Sequence, residues 1–165
     1  MGNLSKEFEN VQNPALGAYA IWNFSRGYYE YNNSFIPFQL LFIVLPIVFR
    51  ADLVDIIAST QKQSGLRYFT DKFLTTKVLK NDMISHIHKA SEEAKKLTLN
   101  SLQIAIHANL ISIDIENGLV FPITTSEKKN ESVSVKRLGK AAEKLGNWCA
   151  RLTMYEISQI LKVRF

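Results

Sequence analysis

The sequence predicts a mainly α protein with a small β-hairpin, arranged as a winged helix-turn-helix-like core with flanking helices. Apolar residues recur at three- and four-residue spacing along most of the chain. The period changes to two over Ile111–Ile115, and a second strand follows at Leu119–Ile123, beyond Glu116-Asn117-Gly118. Two helical segments lead directly into this hairpin, the order of a helix-turn-helix and its wing. A helical bundle carrying an incidental hairpin is the other arrangement the order allows.

A chain of 165 residues, 47% apolar and 21% charged, has the composition of a globular domain and can bury a core without staples. We read residues 1–165 as one domain. It comprises an N-terminal helical part (10–80), a helix-helix-wing unit (81–123), a polar loop (124–134) and a C-terminal helical tail (135–165). The single cysteine, Cys149, cannot form an internal disulfide and fits a reducing cytoplasm. The opening residues show no apolar signal core. Lys6 stands where a myristoylation pattern beginning at Gly2 needs Ser or Thr. Cytoplasmic localisation is the expectation.

Asn13-Pro14 has the form of a helix start, and 14–30 continues with apolar residues on nearly every face. Such a helix is buried in the core or against a partner. Phe35–Phe49 is apolar except for Gln39, is too short to span a bilayer and contains Pro46, so it reads as a buried helix with a kink there. Ala51–Thr60 is a short amphipathic helix, and Leu66–Leu74 resumes the pattern after Ser64-Gly65. Asn81 or Asp82 is expected to cap a helix to about Lys96. Thr98 is expected to cap the next, with Leu99, Leu102, Ile106 and Leu110 on its inner face. Pro122 confines the second hairpin strand to an edge or to its own last residues. Val135–Leu152 is helical, with Gly139 and Gly146 allowing close packing. Thr153 and Glu156 form a capping box for the last helix. The apolar final residue, Phe165, suggests a docked terminus.

No catalytic, cofactor or metal site is expected. His86 and His88 are two apart on a helix and diverge, and no H-E-x-x-H or C-x-x-C accompanies them. Walker and Rossmann glycine loops are missing. Cys149 falls on an apolar face, unlike a nucleophilic thiolate. With no nucleophile-base-orienter set, the chain reads as a non-enzyme without a small-molecule substrate or membrane partner.

Two surfaces are candidates for binding. Lys136, Lys140 and Lys144 recur at i, i+4, i+8, with Arg137 beside them and Lys128 and Lys129 in the preceding loop. The net charge of +5 favours acidic partners. This stripe is either a non-specific contact to double-stranded DNA phosphates or a solvated helix face. The aromatic block Tyr19, Trp22, Phe24, Tyr28, Tyr29 and Tyr31 is either a partner interface or core. The segment 98–110, in the recognition position, has no Lys or Arg, which disfavours base readout.

The stretches NPALGAYAIWNFSRGYYE, PFQLLFIVLPIVFR with IASTQKQSGLRYF, and VKRLGKAAEKLGNWCARLTMYEISQILKVRF resemble the middle component of bacterial ABC three-component systems, which include Lamassu-type antiphage defence. The resemblance covers roughly residues 10–165. It implies a structural subunit acting with an SMC-like ABC ATPase and an effector, often a nuclease. The other functional class the sequence allows is a stand-alone winged-helix DNA-binding transcriptional regulator.

Overall fold

The computed structural model describes residues 13–75, 80–126 and 131–165. In chain order the elements are α1 (Pro14–Asn32), β1 (Ile36–Pro37), α2 (Val44–Val48), α3 (Ala51–Ala58), α4 (Gly65–Asp71), α5 (Lys80–Glu93), α6 (Lys95–His107), β2 (Ile111–Asp114), β3 (Leu119–Pro122), α7 (Val133–Cys149) and α8 (Met154–Leu161). Tighter 3-10 turns occupy Phe38–Ile43, Lys62–Ser64 and Lys72–Thr75. No helix among the described residues is long and apolar enough to cross a membrane.

Helix α1 begins where its residues require. The Asn13 side chain accepts hydrogen bonds from the Ala15 and Leu16 N–H groups, and Pro14 takes a position whose N–H would have no helical partner. The helix ends at Asn33, which adopts a left-handed conformation and donates its N–H to the Tyr29 carbonyl. Between these caps α1 is the axis of the molecule, with α7 along one side and α6 along another. Most of its apolar periphery, from Ala18 to Tyr28, is thereby enclosed by this chain itself.

The α1–α7 crossing depends on two glycines. A Cβ on Gly27 would lie 2.7 Å from the Glu143 carbonyl carbon of α7. A Cβ on Gly146 would lie 2.9 Å from the Phe24 carbonyl carbon and the Tyr28 nitrogen of α1. Both contacts are with backbone, which cannot move aside as a side chain can. Glycine on each helix therefore lets the two main chains touch, and the flanking large residues close over the seam. Phe24 and Tyr28 of α1 and Ala142 and Leu145 of α7 are all buried.

The apolar run 35–49 is buried as expected but is not one helix. Ile36 and Pro37 pair with β3, the chain tightens into a 3-10 turn, and only Val44–Val48 is α-helical. Pro46 lies within the first turn of α2, where its missing N–H costs no helical bond, so the change of geometry comes at Val44 and not at Pro46. Leu66, Phe69 and Phe73 are buried, as their spacing predicts.

At the α5–α6 junction the expected boundary moves. Thr98 does not cap a helix: it lies inside α6, is fully buried and donates its N–H to the Ala94 carbonyl. The break is a single residue, Ala94, with φ −85 and ψ 1. The buried face of α6 is Thr98, Ser101, Leu102 and Ala105. Leu99 and Ile106, expected inside, are exposed. Ser101 sits against Gly17 of α1, so this crossing also selects small residues.

The hairpin forms, and β1 joins it in a three-stranded antiparallel sheet of order β1-β3-β2. In register, Ile36 faces Val120 and Ile113 faces Val120 from the other side. Gly118 has φ +64, which the turn needs and which glycine allows without strain. Pro122 is the last residue of β3, where a missing donor is tolerated. The turn is longer than Asn-Gly alone: Ile115 leaves the strand and is 88% exposed.

Helix α7 starts at Val133, capped by Ser132, two residues before its apolar pattern begins. The capping box of α8 is present, with Thr153 Oγ1 accepting from the Glu156 N–H and Glu156 Oε2 accepting from the Thr153 N–H. At the C-terminus it is Val163 that docks, while Phe165 is exposed.

Candidate interaction surfaces

The basic stripe on α7 is divided by the fold. Its residues lie on adjoining helical positions, so a small rotation decides which face a neighbour. Lys144 reaches the C-terminus of α3 and donates to the carbonyls of Thr60 (2.7 Å), Ile57 (2.9 Å) and Ala58 (3.4 Å). A helix C-terminus presents unpaired carbonyls and the negative end of the helix dipole, so an ammonium is well placed there. Desolvation, followed by the nearby charge of Lys72, holds its pKa below the ordinary lysine value. Lys144 is thus engaged within the chain and does not belong to a phosphate-binding stripe. Arg137 ion-pairs with Asp55 of α3. Lys136 and Lys140 are exposed on the outer face of α7. Lys128 and Lys129 lie outside the described residues.

The aromatic block also changes role. Trp22 is 1% exposed, and Phe24 and Tyr28 are buried beside it. All three candidate partner contacts are buried within the chain: Phe24 and Tyr28 lie where Gly146 of α7 meets α1, and Trp22 lies against the segment after β3. Trp22 donates its indole N–H to the Thr124 carbonyl (2.8 Å), and the Arg26 guanidinium lies 4.9 Å over the Trp22 ring. Tyr19 is partly buried and donates to Glu131. Burial, reinforced by that carboxylate, raises its pKa well above the ordinary tyrosine range. Tyr29 is half-buried and Tyr31 exposed, with Arg151 over the Tyr31 ring at 5.2 Å.

Two further surfaces emerge only from the fold. The outer side of α6 exposes Leu99 (51%), Ile104 and Ile106. An apolar groove runs between α3 and the first turns of α1 and α7, lined by Leu16, Val48, Val54, Val133, Val135 and Leu138, with Arg137 at its margin. The sequence signal for the groove is only partial: Val133 lies upstream of the periodic pattern that marks α7.

Chemically, these surfaces are suited to binding. Cys149 is fully buried, and burial pushes its thiol far above the range in which a thiolate forms. Among the described residues, no group of three or more His, Cys, Asp or Glu side chains is placed to hold a metal ion.

No curated protein and no solved structure matches the chain. A family model does, across residues 1–165. The chain belongs to the family described as ABC-three component (ABC-3C) system Middle Component 3.

Proposed function

We propose that this chain is a non-catalytic adaptor subunit of a bacterial antiphage defence complex, acting in the cytoplasm and linking an SMC-like ABC ATPase to an effector, often a nuclease. The observation that carries this reading is the full-length match to the middle-component family. A middle component is by description one part of a system of several, and protein partners follow from that. The Lamassu-type assignment rests on the sequence resemblance and is part of the same proposal.

Within this reading the unit from α5 to β3 is winged-helix-like. In support, α6 leads into a hairpin, and a strand from the N-terminal half extends that hairpin to three strands. The one-residue joint at Ala94 is shorter than the three- or four-residue turn of a DNA-reading helix-turn-helix. Helix α6 carries Lys95 and Lys96 in its first turn but no Lys or Arg from Thr98 to Leu110, so most of its length suits protein contact better than base readout. Any DNA contact is to the phosphates, through Lys136 and Lys140.

Co-expression with the neighbouring ATPase and effector genes tests the adaptor role. The expected result is a hetero-oligomer that survives size-exclusion chromatography. A chain that always elutes alone, with both partners folded and present, sinks the reading. Gel shifts over a salt series test the phosphate contact: binding should weaken steeply as salt rises and weaken further in Lys136→Glu/Lys140→Glu.

A further inference from the structure

Resting on the adaptor reading, we propose that the outer face of the three-stranded sheet docks one amphipathic helix of a partner subunit, apolar along the contact and bearing Lys or Arg over the hairpin end. Side chains alternate between the two faces of a strand. Ile36, Val120 and Ile113 lie side by side in register and turn inward: Ile36 and Val120 are fully buried, and Ile113 packs against the core. Their neighbours therefore turn outward. These are Phe35, Pro37, Leu119, Phe121, Ser112 and Asp114, with Ile123 one residue past β3. The Phe35 and Phe121 rings stack on this face, with centroids 5.0 Å apart. An antiparallel sheet with one face in water carries polar residues on that face. Here five of the seven outward residues are apolar. Phe35 is 46% and Ile123 52% exposed, Leu119 and Phe121 are half-buried, and none of these four packs against the core cluster. A sheet apolar on both faces calls for a second layer.

Width, area and charge select the occupant. Three strands about 4.8 Å apart present a face about 10 Å across, the diameter of one α-helix. Five partly exposed side chains offer on the order of a few hundred Å² of apolar surface, against the roughly 800 Å² per side of a stable dimer, so two copies joined only here would fall apart. A single helix is one element of the larger contact that a subunit makes in a complex. The charges of the sheet are acidic: no charged residue occurs from Ser34 to Phe49, and only Asp114 and Glu116 occur from Leu110 to Thr124. Glu116 is exposed in the turn. The Asp114 carboxylate is fixed by two neutral donors, the Asn117 N–H (3.2 Å) and Nδ2 (2.7 Å), so its charge is not neutralised by them and favours a cation on the docked helix.

The test uses the full-length chain carrying a benzophenone maleimide on Ile123→Cys; the native Cys149 is buried and stays unlabelled while the fold is intact. Irradiated in the presence of the neighbouring ATPase and effector, the probe should crosslink to one of them. The crosslinked peptide should have apolar residues three and four apart and a Lys or Arg at one end. Phe35→Asp/Phe121→Asp should weaken affinity for that partner at least tenfold, and Glu116→Lys several-fold, each with an unchanged circular dichroism spectrum. Should the double variant not fold, the crosslink map and Glu116→Lys, which lies in an exposed turn, decide alone. A folded Phe35→Asp/Phe121→Asp chain that binds as tightly as the unsubstituted one overturns the proposal and leaves the adaptor reading standing. Absence of any complex with the unsubstituted chain overturns both. Crosslinks between two copies of this chain, or to an extended or acidic segment of a partner, also overturn the proposal.

Discussion

Helices α1 and α6 are both rich in apolar residues, both pack on the same core, and end up with opposite roles. α1 is enclosed on nearly every side, with Ile21, Trp22 and Phe24 at or below 1% exposure. α6 turns Thr98, Ser101 and Ala105 inward and leaves Leu99, Ile104 and Ile106 outside. The difference lies in what each helix meets. α1 crosses α7 through Gly27 and Gly146, which bring the main chains together so that large side chains seal both flanks. α6 meets α1 at Gly17, where only a side chain as small as Ser101 fits between the helices. A close crossing therefore draws a small residue to the point of contact, with Leu102 buried beside it on the same face and Leu99, Ile104 and Ile106 turned away.

This contrast can be broken or sharpened by substitution. Trp22→Ala should have the largest effect, a loss of about 4 kcal/mol in urea unfolding, because it empties a sealed site and orphans the Thr124 carbonyl. Gly27→Ala should cost about 3 kcal/mol, since the added methyl meets the Glu143 backbone. A tolerated alanine there would show that the two main chains do not touch at this crossing. Lys144→Met should cost about 1 kcal/mol by leaving the carbonyls of Ile57 and Ala58 in α3, and of Thr60 just beyond it, without their donor. The same variant has a pH signature. A lysine whose folded pKa is depressed binds its proton less readily in the native state, so its contribution to stability rises as pH climbs toward the ordinary value of 10.5. Lys144→Met should flatten that part of the stability–pH curve. Leu99→Ala and Ile106→Ala should have the smallest effects, each below about 1 kcal/mol, because both residues are already partly in water, Leu99 51% and Ile106 39% exposed. A loss comparable to that of Gly27→Ala at either position would mean that α6 turns a different face to the core.

Local signals were legible wherever the chemistry is local. The Asn13-Pro14 start, the Thr153–Glu156 capping box, the Gly118 turn and the burial of Leu66, Phe69 and Phe73 are all readable from short spacings. Each depends on atoms within about one helical turn, so no tertiary knowledge is needed. The candidate surfaces were less legible. Lys136, Lys140 and Lys144 are equivalent by spacing, but only Lys144 meets the end of α3, which comes more than eighty residues earlier. Trp22 and Phe24 could equally have faced a partner by spacing alone; α7 comes against the Phe24 main chain at Gly146, while the segment after β3 reaches the Trp22 indole.

By itself the sequence determined the helical class, the hairpin, the lone buried thiol and the family kinship, because periodicity, turn chemistry and composition act within a short reach. Only the tertiary structure decided the third strand at Ile36–Pro37, the inward face of α6 and the division of the basic stripe. Those outcomes depend on which distant backbone comes close, and a helix carries no local record of the neighbour it will cross.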